Sequence, residues 1–188
     1  APAAVLSVRT MNRGRLDEAI AAYEEFVRIY GEKTGIEQLA DVRFSLGSCH
    51  YGQQKFPAAL NAYKEFLSKH PSHQLWDDAQ LQIVVTEFEW GLSLLRAKEY
   101  DQARNRLLDF VLDYPLDERT PQAYLILGYL EAERKEFDAA ISDWERLVSK
   151  YPGSDLASQA QYKIGLTLET EFVKLKDALE AYQKVTYG

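Results

Sequence analysis

One spacing of apolar residues occurs five times in this chain, and it is the spacing of a single helical face. From Phe137 the apolar positions fall at Ala140, Ile141, Trp144, Leu147, Val148 and Tyr151, followed by Pro152. Steps of three and four residues place all of them along one side of an α-helix. The same template begins at Leu16, with Ala19, Ile20, Tyr23, Phe26, Val27 and Tyr30, and at Phe56, with Ala59, Leu60, Tyr63, Phe66, Leu67 and His70-Pro71. It begins again at Tyr100, with Ala103, Leu107, Phe110, Val111 and Tyr114-Pro115, where Arg104 is the single misfit. The last copy starts at Leu175, with Ala178, Leu179, Tyr182 and Val185. The intervals are 40, 44, 37 and 38 residues, so the pattern is a repeat of the order of two helices.

A second helix precedes each copy from the second onward. Gly47, Gly91 and Gly128 each stand nine residues before an aromatic start, and Gly165 stands ten before Leu175, which predicts one extra residue in the turn near Val173. A glycine inside a helix costs about 1 kcal/mol against alanine. Its recurrence at one register implies a neighbouring helix crossing too close for a side chain. The segments Pro71-Ser72, Pro115-Leu116-Asp117 and Pro152-Gly153-Ser154-Asp155 end the second helix of each unit and offer caps to the next. Only ten glycines and six prolines in 188 residues suit an all-helical chain.

The unit resembles the tetratricopeptide repeat. Leu46-Gly47, Trp90-Gly91, Leu127-Gly128 and Ile164-Gly165 supply its first-helix signature, and Ala59, Ala103, Ala140 and Ala178 its small second-helix position. The units are longer than the 34-residue norm. Phe26, Phe66, Phe110 and Leu147 also stand where the family usually has a second small residue, so the local packing is expected to differ. HEAT-like repeats have a similar period but lack the Leu-Gly and Ala signature. The resemblance implies an all-α superhelix of about five helical hairpins filling one domain over residues 1–188. The repeats fall at about 1–33, 36–73, 76–117, 120–154 and 155–188. One such pair buries about six large side chains at roughly 1.5–3 kcal/mol each. Ordering it costs about 1.5 kcal/mol per residue, so pairs are stable only when stacked.

The ends read as unfinished. The first repeat has room for only a short first helix within Ala3 to Asn12, and the last stops at Val185 without a capping helix, which suggests a fragment of a longer protein. The first helix of the third repeat is expected to start near Asp77, with Trp76 at its entry, and to run about two turns longer than its siblings.

Charge and composition narrow the function. A net charge of −7 and the lack of clustered Lys and Arg disfavour nucleic acid as a partner. No run of about 18 apolar residues exists to span a membrane, and Ala1 to Leu6 lack the basic start and apolar run of a signal peptide. The lone Cys49 reads as a small buried hydrophobe, compatible with cytoplasm or periplasm. His70 and His73 flank a helix-breaking proline with no carboxylate or thiol at metal spacing, so they read as a helix-end and a loop histidine. Cys49 and His50 point about 100° apart on a helix and are no nucleophile–base pair. Asp77-Asp78 and Asp117-Glu118 sit at helix starts, where negative charge complements the dipole. No phosphate loop or nucleophile elbow occurs. These readings predict a protein without catalysis, cofactor or metal.

What remains is a surface. The resemblance implies that first helices line a concave groove that holds a protein or peptide. The matching positions are Asp41, Phe44, Ser48 and Tyr51; Val85, Phe88, Leu92 and Leu95; Gln122, Leu125 and Tyr129; and Gln159, Tyr162, Leu166 and Glu169. Such a stripe is apolar and aromatic, with few of the cations that hold a C-terminal carboxylate. Two readings stand side by side: an open groove, or side chains buried against one another and under the lengthened third helix. An architectural spacer without a ligand of its own is the alternative function. The endings of the Tyr151-Pro152-Gly153-Ser154 type are most similar to bacterial envelope members, the outer-membrane-assembly lipoprotein and the Tol–Pal-associated periplasmic protein. That implies a periplasmic or envelope setting and a role in envelope assembly, with cytoplasm as the other compartment.

Overall fold

The computed structural model describes the backbone of residues 2–33 and 38–187 and the side chains of residues 14–33 and 38–185. Among the described residues the chain is all-α, with nine helices and no strand. They are α1 (Pro2–Tyr30), α2 (Gln38–Gly52), α3 (Phe56–Lys69), α4 (Trp76–Arg96), α5 (Tyr100–Asp113), α6 (Thr120–Glu133), α7 (Phe137–Lys150), α8 (Asp155–Thr170) and α9 (Leu175–Tyr187). Four template starts, Phe56, Tyr100, Phe137 and Leu175, are first residues of helices. The lengthened first helix of the third repeat is α4, with 21 residues against 15, 14 and 16 in α2, α6 and α8.

The first repeat departs from expectation. Instead of a short helix and a turn before Leu16, α1 runs unbroken for 29 residues. Its one internal glycine, Gly14, costs only about 1 kcal/mol in a helix. A glycine permits a turn without imposing one.

Each later hairpin turns on a left-handed residue two positions before the second helix: Gln54, Lys98, Lys135 and Val173, with φ between 54° and 63°. In three of them the backbone bonds of a Schellman motif close the turn, as where Lys135 N donates to Ala132 O and Glu136 N to Glu131 O, both at 2.9 Å. At the fourth, Lys174 N reaches back six residues, to Leu168 O at 2.8 Å, instead of five. That is the extra residue implied by the Gly165 spacing.

Tertiary contacts divide the chain into two compact units, Ala1–Trp90 and Gly91–Gly188, the division falling within α4. In the first unit α2 packs on α1 and α3. Its core joins Ala59, Leu60, Tyr63 and Ile83, with Phe44, Tyr51, Leu67 and Trp90 against them, to a second cluster of Ala40, Phe66 and Ala79. A polar node closes the α1–α2–α3 junction. The buried Arg43 donates to Glu65 Oε1 at 3.0 Å, to His70 Nε2 at 3.0 Å and to Gly31 O at 3.2 Å.

In the second unit α6 packs on α5 and α7, and α8 on α7 and α9. Leu107, Phe110, Leu127, Trp144 and Leu147 are its largest fully buried side chains. Phe66, Phe110 and Leu147, the large residues at the usually small position, are thus core members in their own units. The Arg104 misfit is explained: its guanidinium pairs with the buried Glu131 of α6. Between hairpins, Ser154 caps α8 by accepting from Leu156 N at 3.3 Å, and Asp117 accepts from Arg119 N at 2.9 Å. Pro71-Ser72 gives no such cap, since α4 starts only at Trp76. No described helix is long and apolar enough to cross a membrane.

Candidate interaction surface

The register glycines decide how the two helices of a hairpin meet. A Cβ on Gly47 would lie 2.6 Å from the Tyr63 ring, and one on Gly128 would fall inside the Trp144 indole. Gly91 stands in the same relation to Leu107, and Gly165 to Tyr182. The aromatic side chain seven residues into α3, α7 and α9 therefore passes over a bare first-helix backbone. There it meets positions of the expected groove. Tyr63 Oη lies 3.1 Å from Ser48 Oγ, and the Trp144 and Tyr129 rings meet edge to face at 5.8 Å. Tyr162 and Tyr182 rings are 5.8 Å apart, and Tyr182 donates to Glu169 Oε2 at 2.7 Å. The bond to that carboxylate pushes the Tyr182 phenol up to about 12.

The expected groove residues divide sharply by burial. In the first unit Ser48 is exposed and Tyr51 is half-buried against Phe56. Phe44 is half-buried between the rings of Tyr63 and Phe66. Phe88 is buried and offers a partner no side chain. Its place on the first-helix face is overridden because α4 turns that residue into the core.

In the second unit Leu92, Leu95 and Leu166 are half-buried, and Gln122 and Gln159 are exposed. Leu125 is buried, and its carbonyl accepts the Trp144 Nε1–H at 3.3 Å. Phe88 and Leu125 are thus corrections to the sequence reading. Tyr129 and Tyr162 are 36% and 48% exposed, which for side chains of this size leaves aromatic surface in water. Lys163 of α8 sits over the Tyr129 ring of α6, 5.2 Å from its centroid, and so joins the two helices across this face.

Lys163 and Tyr182 were missed by the sequence reading. Tyr182 was recognisable as the template aromatic paired with Gly165. Lys163, next to Tyr162, carries no signal of its own.

The chemistry on offer is contact chemistry: two exposed aromatic faces, one ammonium, and side-chain amides at matching places on α6 and α8. Elsewhere, Cys49 is half-buried and its thiol is pushed up by burial, away from the reactive thiolate. His70 and His73 do not share a ligand geometry, because Arg43 occupies His70 Nε2 and Leu75 N donates to His73 Nδ1 at 3.2 Å. Among the described residues no group of three or more His, Cys, Asp or Glu could hold a metal ion.

The fold and this face define a class: an array of helical hairpins with first helices presented side by side within a unit. The tetratricopeptide-repeat family matches residues 41–73 and, separately, residues 88–155. The chain is built of tetratricopeptide repeats. Among solved structures, a crystal structure of MamA is 20% identical, with 93% of this chain and 88% of that one covered, at a TM-score of 0.50. The apo form of RapI is 16% identical at a TM-score of 0.53, covering 93% of this chain and 49% of that one, so the chain spans about half of RapI. At these identities the likeness is one of fold. Sequence comparison with curated proteins finds no match.

Proposed function

We propose that this chain is a non-catalytic interaction module that holds a segment of another protein against its first-helix faces. The observation that carries this is the pair Tyr129 and Tyr162, left in water beside Lys163 on α6 and α8 while their neighbour Leu125 is buried. Rigid aromatic side chains with a polar tip lose little entropy on binding and dominate recognition surfaces. The partner is a protein or peptide. The net charge of −7 favours a neutral or basic one over nucleic acid. The Tyr151-Pro152-Gly153-Ser154 ending supports a cell-envelope setting, which fractionation of cells producing the full-length protein tests.

The decisive experiment compares wild type with Tyr129→Ala/Tyr162→Ala, both crosslinked in cells and read by mass spectrometry. Partners recovered with wild type and lost with the double variant, at unchanged melting temperature, fit the proposal. Equal recovery removes the first-helix face from consideration.

A further inference from the structure

On the side of α8 away from Tyr162, the second unit carries a cleft of about 740 Å³ between α7 and α9, floored by α8. Its volume lies within the roughly 300–1,000 Å³ of ligand clefts. The apolar lining comes from Ile141 and Val148 of α7 and Ile164 and Leu168 of α8. Set among them is Gln161, 7% exposed and without a hydrogen-bond partner among the described residues. Its amide opens onto the cleft, where it presents two donor hydrogens and an acceptor oxygen. It offers an occupant of the cleft a hydrogen-bonding group that no other described residue uses.

The rim identifies the chemistry. Glu145, Asp177 and Glu180 line the cleft without ion-pair partners among the described residues, against one such cation, Lys184. Arg146 is already held by the buried Asp143 at 2.8 Å. The rim is thus acidic and the floor apolar. A helical occupant would bring a backbone already satisfied within itself and no free main-chain group for Gln161. An extended segment has free main-chain N–H and C=O groups. The α7 lining from Ile141 to Ser149 is about 12 Å long, which spans three or four extended residues at about 3.3 Å each.

We infer that this cleft is a second peptide site, which takes an extended stretch of three or four residues with apolar side chains and a Lys or Arg, its main chain paired to Gln161. It is independent of the first-helix face.

The test uses isotope-labelled full chain titrated with the capped probe acetyl-VKLK-amide and the control acetyl-VELE-amide, read by NMR. The basic probe is expected to shift the Gln161 side-chain amide and the backbone amides of α7 and α9. Gln161→Leu is expected to weaken binding by about fivefold. Glu145→Lys/Glu180→Lys, at exposed positions, is expected to reverse the preference in favour of the acidic probe. Shifts confined to the face around Tyr129 and Tyr162 would overturn this site while leaving the proposed function in place. Unchanged preference in the charge-reversed variant, or no shift in α7, α8 or α9 at millimolar probe, would overturn it as well.

Discussion

The indole of Trp144 lies against the bare backbone of Gly128, and its Nε1–H reaches past that glycine to the carbonyl of Leu125. Trp144 is 1% exposed, so the ring has no open space to retreat into. Gly128→Ala puts a methyl group where the indole stands, and either α6 or α7 must shift. The expected loss is about 2–3 kcal/mol, the cost of overpacking a filled core, measured by urea denaturation. Gly14→Ala, where a Cβ meets nothing within 4 Å, is the control and is expected to stabilise α1.

The hairpin turns store strain at residues with side chains. Val173 is β-branched, holds φ at 54° and is 72% exposed, so little burial is lost on removing its side chain. Val173→Gly is expected to raise stability by about 1 kcal/mol, the penalty of a left-handed L-residue. Lys135→Gly gives a similar but smaller gain. A fall in melting temperature for both would contradict the strain argument.

Arg104 and Glu131 form a pair whose carboxylate is buried, with 4% side-chain exposure, and whose guanidinium is about a third exposed. Arg104→Ala leaves the carboxylate uncompensated and is expected to cost about 3 kcal/mol, the low end for breaking a buried pair, because the guanidinium is partly exposed. Replacing both, Arg104→Leu with Glu131→Leu, should recover most of that loss in a double-mutant cycle.

Acid sensitivity is expected in the first unit. Arg43 can only donate, so His70 Nε2 must accept, and the ring must be neutral. Burial, then the charges of Arg43 and His73, hold its pKa below the usual value, with Glu65 opposing. His50 is lowered by burial, Glu24 opposing and Lys55 adding to the effect. A histidine depressed on folding adds stability that is complete above its unfolded pKa of about 6.5 and is lost as pH falls through the folded value. Stability should therefore drop between pH 7 and 5, with a smaller drop in His70→Gln, whose amide still accepts from Arg43. Asp143, raised first by burial, contributes with the opposite sign. The difference between wild type and His70→Gln isolates the histidine. Equal slopes for the two would sink the argument.

Face and core residues should separate cleanly. Phe88→Ala and Leu125→Ala remove buried side chains and are expected to cost about 2–5 kcal/mol. Tyr162→Ala, at an exposed position, should stay within about 1 kcal/mol. Thermal denaturation distinguishes the three.

The sequence by itself determined the helices after α1 and their pairing into hairpins, but not that α1 runs unbroken. Apolar steps of three and four residues name Phe56, Tyr100, Phe137 and Leu175 as helix starts, and the glycine register names the crossing points. Both are local consequences of helical geometry, because a face and a contact spacing are written along one dimension. The extra residue at Val173 was legible for the same reason. Which first-helix positions stay in water was not. Gln122, Leu125 and Tyr129 read alike as one stripe, yet only tertiary packing puts Leu125 under Trp144 and leaves Tyr129 outside with Lys163 above it. Burial depends on what arrives from another part of the chain, and so do the partners of Arg104 and His70. The cleft around Gln161 belongs to the same category, since three helices must come together before its amide is left without a neighbour.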